Sequence, residues 1–275
     1  MIDILGFKAL LASVPVADIV ARVDNLLGYI RGMRMYWSSA MVAGGTGAVT
    51  EKRDGKFGLN EMHFSDTILV WTAPCSDRNN PLCQIQGGLL VSSVARLICK
   101  SFLSGIPLRA GIGFGECYVD PIRNILVGQA IAEAHDVEAA QDWIGGAIHP
   151  NVAPTGVPGM GSIVEWDVPI KVNRPVRTQQ ALKWVDCTDE PSEDQLLKRT
   201  LESMLRANNT PDVQVKLENT KKFVEAIQGK LKYRVATASG VSGWFNPLDE
   251  TEHKRAVKQA KRRRTRPRSK ARASR

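Results

Sequence analysis

The chain has no Cys-x-x-Cys pair, no charge-free apolar run of bilayer length and no Gly-x-Gly-x-x-Gly spacing. Each absence removes a class of protein. Five cysteines, an odd number at irregular spacing, argue against both a disulfide framework and a zinc site, and reduced thiols are expected. The most apolar stretch, "GGLLVSSVARLICKSFL", is interrupted by Arg96 and Lys100, so no membrane span is expected. No basic-then-apolar leader is recognised before the first strand, and a soluble, cytoplasmic protein is expected. "GIGFG" and "GGTG" lack the spacing of a dinucleotide loop; close packing accounts for the first and a flexible connection for the second.

What is present begins with charge. The formal net charge is +9, from 37 Lys/Arg and 28 Asp/Glu. From His253 to Arg275 there are twelve Lys/Arg and no acidic residue. Taking those twelve away leaves 25 basic against 28 acidic residues, a body of net charge −3. The basicity therefore belongs to the tail. Such a tail is low in complexity, is expected to be disordered, and binds nucleic acid non-specifically through phosphate charge. The body, in a chain 43% hydrophobic, is long enough to bury a full core.

Periodicity then orders the body. "MIDILGFKAL" reads as a short strand turning into a helix. "PVADIVARVDNLLGYIRGM" places Ile19, Val20, Val23, Leu26, Leu27 and Ile30 at helical spacing, and "GGTGAV" ends that helix. "LNEMHF" and "TILVW" read as strands joined by a tight "SD" turn. A helix from about Gln84 to Leu103 follows. "LRAGIGFGECYVD" and "RNILVG" read as a strand pair turning at Asp120-Pro121, and "QAIAEAHDVEAAQDW" as a third helix. "QALKWVD" reads as a further strand, and "SEDQLLKRTLESMLRA" and "VKLENTKKFVEAIQG" as amphipathic helices on the same core. This order predicts an α+β fold, a ferredoxin-like palm with helices on a mainly antiparallel sheet and a helical C-terminal extension. The expected boundaries are 1–235 for the main domain, 236–252 for a linker and 253–275 for the tail.

Two carboxylates stand out against this background. Asp3 lies at the end of the first strand and Asp66 in the hairpin turn, and a palm brings those two places to one sheet edge. An Asp in a turn is ordinarily turn chemistry, and an Asp before a helix is ordinarily a cap. As a pair, with the Ile4 carbonyl, they can hold two Mg²⁺ or Mn²⁺ ions completed by phosphate oxygens and water. Gly6 lets the backbone approach phosphate, and the amides of Leu5, Gly6, Phe7 and Lys8 open a helix N-terminus that favours anions. The first strand is short beside the roughly five residues usual for a central strand. Either it is truncated, or translation starts upstream of Met1.

"DILGFK", "FSDT", "RAGIGFGE" and "GQAIAEAHDVEAAQDWIG" resemble the class III nucleotide cyclases. Together with "ALKWV" and "ENTKKFV", they most resemble the pyrimidine cyclases of bacterial Pycsar anti-phage systems. The resemblance spans roughly Met1 to Lys230. It implies that Asp3, Ile4 and Asp66 bind the two ions. It also implies a homodimer with sites between subunits, and conversion of a pyrimidine nucleoside triphosphate to the 3′,5′-cyclic monophosphate and pyrophosphate.

The chain departs from the purine cyclases at four places. Met62 and Ile125 stand where those enzymes read the base, and Ala132 and Asp136 where they carry an Asn and an Arg. A replacement cation is then required; Lys8 is the nearest in sequence, with Arg96 and Arg109 behind it, although Arg109 at a strand start reads first as structural. Glu133, Glu138 and His135 are read as solvated helix residues, and His63, alternating with Phe64, as a packing residue. Three readings remain open: a pyrimidine cyclase, with UTP favoured over CTP; a purine cyclase with an unusual pocket; and a non-catalytic relative with a nucleic-acid-binding tail.

Overall fold

The computed structural model describes residues 1–43, 59–74, 81–120, 122–123, 125–152, 162–187, 191–231, 234–236 and 242–244. They divide into two units, Met1–Val224 and Glu225–Arg275. The "GGTGAV" stretch and the basic tail lie outside the described residues.

The first unit opens with β1 (Ile2–Ile4), α1 (Phe7–Ser13) and α2 (Val16–Ala43). The hairpin of β2 (Leu59–Phe64) and β3 (Thr67–Thr72) follows, then α3 (Pro81–Leu103) and β4 (Leu108–Ile112). Next come β5 (Cys117–Asp120), β6 (Ile125–Gly128), α4 (Gln129–Ala140) and β7 (Gly145–Ile148). After β8 (Ile163–Glu165), β9 (Gln180–Leu182) and a 3₁₀ turn at Trp184–Cys187, α5 (Pro191–Ala207) and α6 (Pro211–Leu231) close the helical part. Seven strands form one sheet in the order β2-β3-β1-β4-β7-β9-β8. Only the β4–β7 pair is parallel. The α+β class is as expected. In the second unit, β10 (Arg234–Ala236) pairs with β11 (Ser242–Trp244).

The expected strand "LRAGIGFGECYVD" is two strands. β4 stays in the large sheet, while β5 pairs only with β6 in a separate hairpin. The break falls at Gly113–Glu116, where three glycines in five residues (111, 113 and 115) weaken a continuous strand.

Alternation along the strands sorts the two sheet faces. Ile2, Ile4, Ile68, Leu108, Ala110 and Ile112 are buried on one face, and α3 covers it: a Cβ placed on Gly146, opposite Ala110, would meet Ile98 of α3. α2 packs on α3 and β2 through Ile19, Val23, Leu26 and Ile30, the helical stripe legible in the sequence. The opposite face takes α4. A Cβ on Gly111 would sit 2.0 Å from the Ala134 carbonyl oxygen, and one on Gly113 2.3 Å from that of Ala130. Glycine on the strand and alanine on the helix are therefore one packing device, with "GIGFG" facing "QAIAEA". Farther along the chain, Phe223 of α6 meets Trp143 edge-on at 4.6 Å and Trp166 at 5.3 Å. Thr220 Oγ1 accepts from the Ile144 amide at 2.8 Å. The expectation that α6 packs on the main core holds for these residues.

Cys83 is disulfide-bonded, whereas Cys99, Cys117 and Cys187 are free. The expectation of reduced thiols fails at Cys83, because pairing needs only that the fold bring two Cα atoms within bridging distance, at any sequence spacing. No helix among the described residues is long and apolar enough to cross a membrane.

Gly111→Ala should destabilise the protein by at least about 3 kcal/mol, because the methyl group meets helix backbone, which cannot move aside as a side chain would. Denaturant titration checks this; a loss below about 1 kcal/mol would mean that α4 does not lie on β4 as described.

Candidate active site

Asp3 occupies the middle of β1 between buried Ile2 and Ile4, so its side chain projects to the α4 face. It pairs across to Thr67 of β3 and Arg109 of β4. The Ile4 amide donates to the Asp66 carbonyl at 2.9 Å, which ties the β2–β3 turn to the end of β1. The turn is tight: Ser65 adopts φ 57°, in the left-handed region. Asp3, Ile4 and Asp66 thus meet at one end of the sheet. Neither Asp3 Oδ1 nor the Asp66 carboxylate accepts a hydrogen bond among the described residues.

The adjoining segment departs in part from expectation. Gly6, at φ 73°, makes the turn into α1 that a side chain would strain. The Leu5 amide, expected to face an anion, donates instead to the Pro107 carbonyl at 3.0 Å. Sheet-end pairing outcompetes an open amide here, since a buried N–H takes the nearest carbonyl. Phe7 is half-buried and Lys8 exposed.

Charge is concentrated around Asp3. Arg109, itself buried, reaches Asp3 Oδ2 at 3.4 Å through Nη2 and Glu138 Oε1 at 2.5 Å through Nε. Its Nη1 donates to the Gln141 carbonyl at 3.3 Å. Burial, with the negative charge of Glu138, pushes the Asp3 carboxyl up to about 6, against the pull of Arg109; Asp66 pushes the same way and Lys171 opposes. Lys171 donates to the Ala139 carbonyl at 2.6 Å, and burial, together with nearby Arg109, lowers its ammonium pKa. The Met1 amino group donates to the Gly111 carbonyl at 2.8 Å.

Glu133 and Glu138 are therefore not solvated helix residues; they are 6% and 3% exposed. They flank Ala134 and Val137 on the stripe that packs against β4, and that helical spacing is the signal the sequence offered. Glu133 accepts from Gln129 at 2.8 Å and Asn151 at 3.1 Å, with His149 Nδ1 3.5 Å away. Arg109 is structural in the sense expected, yet it also touches Asp3. His63 is exposed and Phe64 is 77% exposed, so neither is a packing residue.

The remaining candidates are dispersed. Met62 lies on β2 opposite Leu69, and Ile125 on β6 in the separate hairpin. Ala132 and Asp136 are exposed on α4. Arg96 belongs to α3, which covers the other face of the sheet. Among the described residues, no group of three or more His, Cys, Asp or Glu is placed to share a metal ion. No family model, no curated protein and no solved structure matches the chain.

The raised Asp3 pKa fixes a pH dependence. A carboxyl held above its unfolded value of 3.8 adds stability below that value and loses the contribution as pH rises through about 6. Metal-free protein should therefore weaken between about pH 4 and pH 7, and Asp3→Asn should flatten that slope. At neutral pH the variant should gain on the order of 1 kcal/mol, discounted for the partly solvated carboxyl. Thermal unfolding in chelator across this range is the measurement; an Asp3→Asn protein less stable than wild type at neutral pH would contradict it.

Proposed function

We propose that the protein is a nucleotide cyclase of the class III type. It would convert a pyrimidine nucleoside triphosphate, UTP in preference to CTP, to the 3′,5′-cyclic monophosphate and pyrophosphate. The observation that carries this reading is the meeting of Asp3, Ile4 and Asp66 at one sheet end, joined by the Ile4–Asp66 backbone bond. The fold supports it. The element order strand-helix-strand-strand-helix-strand, with sheet order β2-β3-β1-β4, is that of a ferredoxin-like palm once α1 and α2 count as one helical crossover.

The donor set suits hard divalent ions, Mg²⁺ or Mn²⁺. Burial and the negative charge of Glu138 disfavour the ionised form of Asp3, the Asp66 carboxylate acts on it in the same sense, and a cation relieves that conflict. Asp3, Asp66 and the Ile4 carbonyl would hold the ions. When bound, the ions would lower the pKa of the ribose 3′-hydroxyl and screen the triphosphate.

The chain's own residues do the rest. The 3′-hydroxyl would give up its proton to solvent, its oxygen would attack the α-phosphorus, the bond from that phosphorus to the bridging oxygen would break, and pyrophosphate would leave with the electron pair. Asp3, held by ladders on both sides, fixes where that happens, and much of the acceleration comes from positioning. Arg109, 3.4 Å from Asp3, and Lys171 are the cations whose charge acts on the Asp3 carboxylate. The resemblance puts Met62 and Ile125 where purine cyclases read the base, and neither side chain can donate or accept a hydrogen bond to a purine edge. By the same resemblance the enzyme is a homodimer producing a second messenger in anti-phage defence, and the basic tail, by its charge alone, would contact nucleic acid non-specifically.

A second reading has its own observation. The contact of Arg109 with Asp3 is sufficient reason for an aspartate at that position, and it favours a non-catalytic relative in which the carboxylate only balances buried charge.

One experiment separates them. With ATP, GTP, CTP and UTP competing at equal concentration in Mn²⁺, a cyclic pyrimidine nucleotide should dominate the products. Asp3→Ala and Asp66→Ala should each lower turnover by at least about a thousandfold while remaining folded. A dominant cyclic purine nucleotide would move the assignment to the purine cyclases. Absence of any cyclic product would leave the charge-balancing reading.

A further inference from the structure

His149 follows the last residue of β7, Ile148, which pairs with Ile112, three residues along β4 from the Arg109 that meets Asp3. The His149 amide donates to the Ile112 carbonyl at 2.8 Å, and the Ile148 carbonyl accepts from Thr178 Oγ1 at 2.6 Å. The backbone at the strand end is thus held from both sides. The chain then turns: the Val152 amide donates to the His149 carbonyl at 2.9 Å, with Pro150 at the second position of the turn. Proline has no N–H, so Asn151 carries the first amide beyond the strand end.

Nδ1 of His149 faces two partners that it cannot serve together. The Asn151 amide donates to it at 3.3 Å, which requires a bare nitrogen. Glu133 Oε2 of α4 lies 3.5 Å from the same atom, a contact that closes only when the nitrogen carries a proton. Glu133 is buried, and burial opposes its charge. The donors Asn151 and Gln129, the charge of His149 and the Phe114 amide outweigh that and hold its carboxyl below the usual range, so it stays ionised under mild acid. The other titratable residues in the second half of α4 stand elsewhere: His135 and Asp136 are exposed, and Glu138 is taken by Arg109. The neighbouring segments bring Phe114, Asn151 and Thr178 to this corner, and none of those side chains titrates.

We propose that His149 is a proton-operated latch on the turn from His149 to Val152. With Nδ1 bare, the imidazole holds the Asn151 amide and pins the turn to the end of β7. When Nδ1 takes up a proton from solvent, it donates to Glu133 instead, and the Asn151 amide loses its acceptor. The ring need not move, because both partners already lie within reach of one atom. The exchange is reversible on energetic grounds. Asn151 is exposed, so water replaces the lost acceptor, while the buried carboxylate gains a charge-assisted bond. The released turn keeps the Val152 bond and the Asn151 side-chain bond to Glu133 Oε1, at 3.1 Å, so acid loosens its backbone without detaching it. The His149 side chain is 14% exposed, enough for a proton to arrive from solvent. The inference is independent of the nucleotide reading.

The test is nitrogen-15 NMR with amide exchange on the full chain, from about pH 8 to about pH 5, the span in which imidazoles change charge. At the alkaline end His149 should be the Nε2–H tautomer, with the Asn151 amide protected. As His149 takes up its proton, protection at Asn151 should fall at least about fivefold, while that of the His149 amide, bonded to Ile112, stays constant. Asp3 changes charge near pH 6, so two variants separate a local effect from a distant one. His149→Phe has no acceptor and should leave Asn151 unprotected across the whole range. Glu133→Gln removes the charge that rewards the proton and should move the transition to lower pH by at least about half a unit. An Nδ1–H tautomer at alkaline pH would overturn the proposal, as would Asn151 protection that is constant through the His149 titration. A pH-dependent fall that persists in His149→Phe, or a transition unmoved in Glu133→Gln, would overturn it as well.

Discussion

Helix α4 lies so close to β4 that nothing larger than hydrogen fits between the strand and the helix carbonyls at Gly111 and Gly113. That approach sets the position of the charged residues. Because α4 sits this near, Glu138 arrives at Arg109 with hydrogen-bond geometry, and Arg109 in turn reaches Asp3. Were the helix a side chain's thickness farther out, the carboxylate and guanidinium would each lose a partner in a place with little water. Such stranding typically costs about 3–5 kcal/mol. The packing device and the charge network therefore stand or fall together.

Within that network the protein tolerates a conflict. Three carboxylates, Asp3, Asp66 and Glu138, share one neighbourhood with Arg109 and Lys171, and burial acts against the charges of Asp3 and Lys171. A sheet end optimised for stability alone would place an uncharged residue at position 3. Keeping an aspartate whose ionisation is opposed is the kind of local cost that functional sites accept, and it marks Asp3 more sharply than its sequence context does. Asp120 makes the contrast. It is also a carboxylate near a turn, but its backbone and side-chain hydrogen bonds to Arg123 outweigh the opposing effect of burial and lower its pKa.

How much of this was legible in the sequence follows from the range of the interactions. The α2 stripe, the β2–β3 hairpin and α3 to α6 are periodic or turn-encoded features, and the sequence shows them. The pairing of Asp3 with Asp66 was also legible, because strand order follows from element order in a compact α+β unit. The burial of Glu133 and Glu138 was not, since a glutamate in an Ala-rich helix reads as solvated unless the glycine stripe facing it is known. Likewise the break after Ile112 was hidden, as "GIGFGECYVD" keeps strand-like alternation across a point where the chain changes sheets. The role of Lys171 had no local signal at all: it lies on an irregular stretch, and only the fold brings it to the end of α4.

The two aspartates differ in mechanical standing. Asp3 is flanked by two buried isoleucines and held by ladders on both sides, so its backbone has nowhere to go. Asp66 sits on a two-residue turn, tied to the sheet by a backbone bond from Ile4, with exposed Phe64 and Ser65 beside it. Any ligand gripping both carboxylates meets one fixed group and one that can follow it by adjusting the turn. A rigid partner sets position, and an adaptable one lets the coordination tighten as charge develops on the ligand.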